Sequence, residues 1–123
     1  MRTLLIVDDE AGVRSLVRMT LASESYRIIE ASEGSGALAL AREHHPDLIL
    51  LDVMLPDISG IDVCRELKSD ATMKSTSVVM LSAKAQQADL GDAKSAGADG
   101  YFTKPFSPIA LLQKVEAILG PPL

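Results

Sequence analysis

Four short strand-like segments of this sequence are each followed, within three residues, by side chains that can do chemistry. These side chains are four acids, one hydroxyl and one ammonium group, namely Asp8, Asp9, Glu10, Asp52, Ser82 and Lys104. Carboxylates that lie together repel one another where the dielectric is reduced, so they need a cationic partner. Lys104 supplies one positive charge, and ligation by oxygen atoms alone selects a hard ion such as Mg²⁺ as the supplement. The set therefore predicts an acidic site that binds Mg²⁺.

These side chains meet only if the apolar runs are parallel strands of one sheet. Short apolar runs alternate five times with segments of helical period; Leu4–Val7, for example, is followed by apolar residues at Val13, Leu16, Val17 and Leu21. Strands separated by helices pair in parallel, and continuous apolar strands are typical of a sheet covered on both faces. We therefore predict a doubly wound α/β fold, in which the working crevice lies at the carboxyl ends of the strands.

The apolar pattern predicts five strands and five helices. The predicted strands are 4–7, 26–29, 48–51, 78–81 and 99–102, and the helical segments lie within 13–21, 34–43, 61–67, 90–96 and 111–119. The fourth helix is expected to be the weakest, because Gly91 inside it costs about 1 kcal/mol relative to alanine. Asp57 and Asp62 flank the start of the third helix, where a negative charge interacts favourably with the helix dipole.

Length and composition restrict the class of protein. The chain has 123 residues, of which 47% are hydrophobic and 24% charged, and this composition is typical of one globular domain. The formal charge of −5 argues against direct contact with nucleic acid or an anionic membrane surface. A single cysteine, the absence of a spanning apolar run and the absence of a signal peptide favour a cytoplasmic protein. Residues 1–119 are expected to form the domain, with 120–123 as a linker-like stub.

Four segments together resemble the response regulator receiver domains of bacterial two-component systems, the CheY-like family. They are LLIVDDE (4–10), LILLDVMLPDISG (48–60), VVMLSAKA (78–85) and GADGYFTKPF (97–106). The resemblance covers the whole chain. It implies a flavodoxin-like sheet of five parallel strands in the order 2-1-3-4-5, with helices on both faces. It also implies a regulatory phosphoacceptor domain that catalyses only its own phosphorylation and dephosphorylation.

The resemblance assigns roles to the residues at the strand ends. Asp52 resembles the phosphoacceptor, Ser82 the hydroxyl that binds the phosphoryl group, and Lys104 the lysine that pairs with the phosphoryl oxygens. The implied Mg²⁺ ligands are Asp8, Asp9, Asp52 and the backbone carbonyl of Met54. Tyr101 resembles the aromatic switch residue that turns inward when Ser82 moves. The Lys104–Pro105 bond resembles the cis peptide bond of the family.

The lifetime of an aspartyl phosphate depends on the access of water to the phosphorus atom. Met54 and Lys84, two residues after Asp52 and Ser82, are expected to flank that approach. Met54 can neither orient nor activate a water molecule, and Lys84 can lie over the phosphoryl group. Ala83 is small and leaves room for a phosphodonor. We therefore predict slow self-dephosphorylation.

The partners implied by the resemblance are proteins. A sensor histidine kinase or a histidine phosphotransfer protein is the expected donor, and an effector domain or target protein receives the signal. A phosphorylation-dependent homodimer through the fourth helix, fifth strand and fifth helix is a further expectation. Gly100 and Gln113–Lys114 depart from the charged residues that many DNA-binding relatives carry on that face.

The same residues admit three alternatives. A haloacid-dehalogenase-like phosphatase also forms an aspartyl phosphate, but it needs an acid at position 54, where Met54 cannot donate a proton. A flavodoxin-like binding module is disfavoured by the acidic loop 8–10, which repels a phosphate, and by the scarcity of aromatic residues. A pseudo-receiver that acts only through protein contacts is disfavoured by the intact set of site residues.

Overall fold

The computed structural model describes residues 2–22, 26–82 and 87–120, except for the side chains of 87–90. The strands are β1 (Arg2–Val7), β2 (Tyr26–Ala31), β3 (Leu48–Asp52), β4 (Ser77–Ser82) and β5 (Gly100–Thr103). The helices are α1 (Ala11–Leu21), α2 (Gly34–His44), α3 (Gly60–Ser69), α4 (Gln87–Ser95) and α5 (Pro108–Leu119). A short 3₁₀ helix at Ala71–Met73 adds to the predicted elements. The predicted alternation of strands and helices is confirmed.

The strands form one parallel sheet in the order β2-β1-β3-β4-β5, which is the expected order. The register aligns the ends of the central strands. Val7 at the end of β1 pairs with Leu51 of β3, so Asp8 and Asp52 follow at the same level. Ser82 at the end of β4 pairs with Thr103, and Lys104 comes next. The topology therefore collects the predicted site residues at one edge of the sheet.

Two buried hydrophobic clusters cover the two faces of the sheet. Successive side chains of a strand point to opposite faces, so Leu5 and Val7 belong to one cluster and Leu4 and Ile6 to the other. The first cluster contains residues of α2, α3 and α4, and the second contains residues of α1 and α5. This double coverage explains why the central strands are continuous apolar runs. A fully buried leucine or isoleucine contributes roughly 2 kcal/mol, so these strands anchor the site edge firmly.

The structure differs from the prediction at both sheet edges. Strand β2 continues to Ala31, beyond the predicted end, because its backbone pairs with β1 as far as Val7. The charge of Glu30 in this extension is paired with Arg14 and Arg18 of α1 at 3.2 and 2.7 Å. Strand β5 begins after Asp99, whose carboxylate accepts a hydrogen bond from the Val78 N–H at 2.8 Å. Among the described residues, no helix is both long and apolar enough to cross a bilayer.

Candidate functional site

Backbone hydrogen bonds carry the sheet pairing slightly past the strand ends and hold the site residues in place. The Asp8 N–H donates to the Ala31 carbonyl at 3.2 Å, which fixes the start of the loop after β1. The Lys104 N–H donates to the carbonyl of Ser82, so these two residues lie side by side. Asp52 is itself the last residue of β3, and its side chain is buried.

One ammonium group connects three acids at this edge. The Lys104 Nζ atom lies 2.6 Å from Asp8 Oδ2, 3.3 Å from Asp52 Oδ2 and 3.9 Å from Glu10 Oε1. Asp8 is completely buried, whereas Glu10 is exposed. Three carboxylates around one ammonium group leave the site with excess negative charge. Such a site attracts a further cation and repels a free anion.

Burial and neighbouring charges together shift the pKa values of Asp52 and Lys104. Burial raises the pKa of the Asp52 carboxyl above its usual range, and the negative charge of Asp8 raises it further, although Lys104 opposes both effects. Burial alone would lower the pKa of Lys104, but its contacts with Asp8 and Asp52 outweigh burial, so that pKa lies above its usual value. Lys104 therefore stays protonated, and burial together with the charge of Asp8 disfavours the ionised form of Asp52.

A cluster of acids suited to a metal ion lies beside this network. Oxygen atoms of Asp8, Asp9 and Glu10 all lie within 4.8 Å of one another. A donor set made only of oxygen atoms fits a hard divalent ion such as Mg²⁺. Of the predicted ligands, Asp8 and Asp9 belong to the cluster, and Asp52 contacts the same Lys104 as Asp8. Glu10, which was not among the predicted ligands, lies in the same cluster.

The segment after β3 folds back closely on Asp52. The Met54 N–H donates to Asp52 Oδ1 at 3.3 Å, and the Met54 side chain is 72% exposed. The Gly60 N–H donates to the Val53 carbonyl at 2.8 Å. A Cβ atom at Gly60 would lie 1.9 Å from the Asp52 carbonyl oxygen, so only glycine fits there without movement. Sequence reasoning did not identify Gly60 as a residue of this site.

The interpretation of Asp57 from the sequence was wrong. Its carboxylate accepts hydrogen bonds from the Gly34 and Ser35 N–H groups of α2, at 2.7 and 2.8 Å, rather than serving α3. These hydrogen bonds hold the pKa of Asp57 well below its usual range. The N-cap of α3 is Ser59, and Asp62 lies in the first turn of α3 as predicted. Asp57 lies next to α3 in the sequence, but the fold places it at another helix.

The remaining predicted residues lie on or after β4 and β5. Ser82 is buried. The ring of Tyr101 packs against the first hydrophobic cluster, and its buried hydroxyl group has no hydrogen-bond partner among the described residues. The Lys104–Pro105 peptide bond is cis. Ala83 and Lys84 lie outside the described residues.

A groove of about 400 Å³ opens beside Lys104. It lies between α1 and the segment after β5, and its lining consists of Glu10, Val13, Leu16, Lys104, Pro105 and Phe106. Most of these side chains are apolar. The groove therefore joins an apolar surface to the charged network.

Comparison with known proteins gives a consistent result. The family described as the response regulator receiver domain matches residues 4–116. The transcriptional regulatory protein ResD of Bacillus subtilis is 45% identical over 116 residues, which are 94% of this chain and 47% of ResD. The chain thus spans about half the length of the curated relatives it matches.

Solved structures give the same result for the fold. The chemotaxis response regulator CheY4 of Vibrio cholerae superposes with a TM-score of 0.89 at 31% identity, over 97% of this chain and 99% of that one. The BeF3-activated receiver domain of DrrB, from Thermotoga maritima, superposes with a TM-score of 0.88 at 33% identity, over 98% of this chain and 99% of that one.

Proposed function

This chain belongs to the response regulator receiver family, and on that premise we propose that Asp52 is the residue on which it accepts a phosphoryl group. Phosphorylation-controlled signalling is the role that membership of this family supports. The observation that carries the specific proposal is the shared contact of Asp8 and Asp52 with Lys104, at 2.6 and 3.3 Å. This arrangement puts a carboxylate nucleophile beside a fixed cation at the crevice of the sheet.

The proposed chemistry is a transfer of the phosphoryl group between two proteins. An oxygen of Asp52 forms a bond to phosphorus while the bond from phosphorus to the donor nitrogen breaks. Lys104 pairs with the phosphoryl oxygens, and the Ser82 hydroxyl donates a hydrogen bond to one of them. Mg²⁺, when bound, supplies positive charge that offsets the carboxylates and the phosphoryl oxygens. Asp8, Asp9 and Glu10 are the side chains that fit this ion, with Asp52 and the Met54 carbonyl completing the proposed set.

We propose that the donor is a histidine kinase or a histidine phosphotransfer protein. The groove beside Lys104 supports this proposal, because Val13, Leu16 and Phe106 give it an apolar lining within reach of the charged network. A protein donor can bury these side chains while it presents its phosphorylated histidine to Asp52. Met19, farther along α1, extends the exposed apolar surface.

The proposed output is a shift of α4, β5 and α5. Ser82 and Lys104 share a backbone hydrogen bond, so a change at the phosphoryl group reaches the end of β5, the strand that carries Tyr101. The proposed recipients are an effector domain or target protein, or a second copy of the chain. The formal charge of −5 supports transmission through proteins rather than direct contact of this chain with nucleic acid.

Phosphorylation by a small acyl phosphate in the presence of Mg²⁺ tests the proposal. We expect the intact mass to increase by one phosphoryl group, and the label to be lost in base. Asp52→Asn should abolish labelling, because the amide oxygen does not attack phosphorus as a carboxylate oxygen does. Asp62→Asn removes a nearby exposed acid and should label normally. Labelling of the Asp52→Asn variant, or none in the unchanged protein, would refute the assignment, the latter in favour of a pseudo-receiver.

A further inference from the structure

Helix α2 begins without a cap from its own sequence. The first N–H groups of a helix have no partner inside the helix and need acceptors from elsewhere. Glu33 occupies the N-cap position of α2, but its side chain makes no capping hydrogen bond. The Gly34 and Ser35 N–H groups instead donate to the two carboxylate oxygens of Asp57, at 2.7 and 2.8 Å. Two of these amides are thus satisfied by a residue 22 or 23 positions away in the sequence.

Asp57 lies in the middle of the segment that follows Asp52. We call residues 53–59, between β3 and α3, the β3–α3 loop. Its two ends are held close together, because the Gly60 N–H donates to the Val53 carbonyl at 2.8 Å. Its middle is held by Asp57 and by Ile58, which fills the space above Gly34: a Cβ atom on that glycine would lie 2.3 Å from Ile58 Cγ1. The loop is therefore attached both to the site and to α2.

The attachment to α2 matters for the site because of Met54. Its side chain is 72% exposed and contributes little by burial, whereas the adjacent Val53 is buried and Leu55 packs against the first hydrophobic cluster. Its N–H group donates to Asp52 Oδ1 at 3.3 Å, which is a long hydrogen bond. Releasing the middle of the loop would increase its conformational freedom, and a long hydrogen bond resists that gain weakly. The backbone at Met54 thus lies between two attachments, Val53 on its N-terminal side and Asp57 on its C-terminal side.

We propose that Asp57 is a positioning residue for the phosphorylation site, which holds the Met54 backbone beside Asp52 by fastening the β3–α3 loop to α2. The proposal rests on the proposed function, in which Asp52 accepts the phosphoryl group and the Met54 carbonyl is a Mg²⁺ ligand. The negative charge of Asp57 at the positive end of the α2 dipole strengthens the attachment.

Comparing Asp57→Ala with Asp62→Ala tests this role. Each substitution removes one exposed acid from the same region, but Asp62 pairs with Arg65 of its own helix, at 2.8 Å. The first readout is the hydrogen-exchange rate of the Met54 amide without metal. The second is the Mg²⁺ concentration that half-saturates binding of beryllofluoride, a mimic of the phosphoryl group. We expect Asp57→Ala to raise the exchange rate of the Met54 amide and the half-saturating Mg²⁺ concentration about fivefold, a change of the size that loss of a helix cap produces. Asp62→Ala should leave both quantities within about twofold of those of the unchanged protein.

A second substitution separates positioning of the loop from stabilisation of α2. Glu33→Asp keeps the charge and gives α2 an N-cap residue of its own, because aspartate is a preferred N-cap and glutamate is not. In the Asp57→Ala background, this change should restore the denaturant midpoint while Met54 exchange and Mg²⁺ half-saturation stay abnormal. Recovery of all three would show that Asp57 acts only through the stability of α2, and it would overturn the proposal.

The conservative variant and the unchanged protein complete the test. Asp57→Asn keeps one acceptor oxygen and loses the charge, so its values should fall between those of the unchanged protein and Asp57→Ala. If the unchanged protein binds no beryllofluoride with Mg²⁺, the proposed function fails. If it binds normally and Asp57→Ala matches it in Met54 exchange and Mg²⁺ half-saturation, the positioning role alone fails.

Discussion

The Lys104 ammonium group lies 2.6 Å from an oxygen of Asp8, whose side chain is completely buried. A buried carboxylate without a cation is strongly destabilising, because the protein interior replaces its lost hydration poorly. Lys104 therefore stabilises the fold of the unphosphorylated protein. The same ammonium group also contacts Asp52, so a change at Asp52 alters the surroundings of the Lys104–Asp8 pair, on which stability depends.

Lys104→Met should therefore destabilise the protein strongly. It leaves Asp8 buried and unpaired, and we expect a loss of about 3 kcal/mol in the free energy of unfolding, measured by urea denaturation without Mg²⁺. Lys68→Met is the control, because its partner Asp99 is 40% exposed, and it should lose only about 1 kcal/mol. Adding Asp8→Asn to Lys104→Met should recover part of the loss. Equal losses for the two lysines would contradict this prediction.

Asp52→Asn should stabilise the apo protein at neutral pH. Burial and the charge of Asp8 raise the folded-state pKa of Asp52 above the ordinary value of 3.8, so the folded state holds this proton more tightly than the unfolded state. Ionised Asp52 thus lowers stability above the raised pKa, and this penalty disappears as the pH falls toward 3.8. Urea midpoints across this pH range should show the variant above the unchanged protein at pH 7 and a shrinking difference in acid.

Asp70→Asn should change stability at neutral pH in the opposite direction to Asp52→Asn. The Thr72 hydroxyl and N–H groups donate to the Asp70 carboxylate and lower its pKa, so ionised Asp70 contributes stability that is lost as the pH falls. This variant should therefore be less stable than the unchanged protein at pH 7. The same sign for both variants would show that the removed charge alone, and not its surroundings, decides the outcome.

Gly60→Ala should damage both stability and phosphorylation. Its Cβ would lie 1.9 Å from the Asp52 carbonyl oxygen, so the start of α3 or the end of β3 must move. We expect a loss of about 3 kcal/mol in the free energy of unfolding and slower labelling by an acyl phosphate. Gly91→Ala is the control, since nothing lies within 4 Å of its Cβ position; it should gain up to about 1 kcal/mol. A neutral result at Gly60 would argue against the close contact.

Met54→Asn should shorten the lifetime of the phosphorylated form. The exposed Met54 side chain begins beside Asp52 and cannot orient water, whereas an amide can hold the attacking water by a hydrogen bond. We expect the decay after donor removal to accelerate at least about threefold, a small part of what acid–base assistance can supply. Met19→Asn makes the same chemical change at another exposed methionine, on α1, and should leave the decay unchanged. An unchanged decay rate in Met54→Asn would show that the side chain at position 54 does not control the attack of water.

Beryllofluoride with Mg²⁺ should alter hydrogen exchange in α4, β5 and α5 more than in α1 and α2. The backbone hydrogen bond between Lys104 and Ser82 connects the site to β5, where the buried Tyr101 hydroxyl has no partner among the residues described. A side chain with an unsatisfied hydroxyl is a natural element to reorient. Residue-resolved hydrogen exchange, measured with and without beryllofluoride, compares the two groups of elements. A change confined to residues 11–44 would contradict the proposed output.

The order of the elements could be predicted because the buried strands are recognisable in the sequence as apolar runs. Runs such as Leu48–Leu51 are continuous and apolar, and a sheet covered on both faces requires this pattern. The gathering of Asp8, Asp52 and Lys104 then follows from the parallel pairing of their strands. The end of β2 was less predictable, because the charged Glu30 interrupts the apolar pattern although its backbone still pairs with β1.

Contacts between loops and distant elements could not be read from local patterns. Asp57 sits three residues before α3, and helix-dipole reasoning assigns it to the nearest helix. Its partners in α2 depend on how the β3–α3 loop crosses the sheet edge, which no periodicity records. Gly60 is similar: its requirement for glycine arises from the Asp52 carbonyl, and only the packed loop brings that oxygen close.

The contact between Lys104 and Asp8 spans 96 positions of the chain, and this separation bears on biosynthesis. A ribosome makes β1 early, but the cation that neutralises Asp8 emerges only after β5 has been made. Until then Asp8 lacks the cation that it contacts in the folded domain, and burial of an unpaired carboxylate is costly. A chain that ends before residue 104 therefore lacks the ammonium group that pairs with the buried Asp8 in the folded domain.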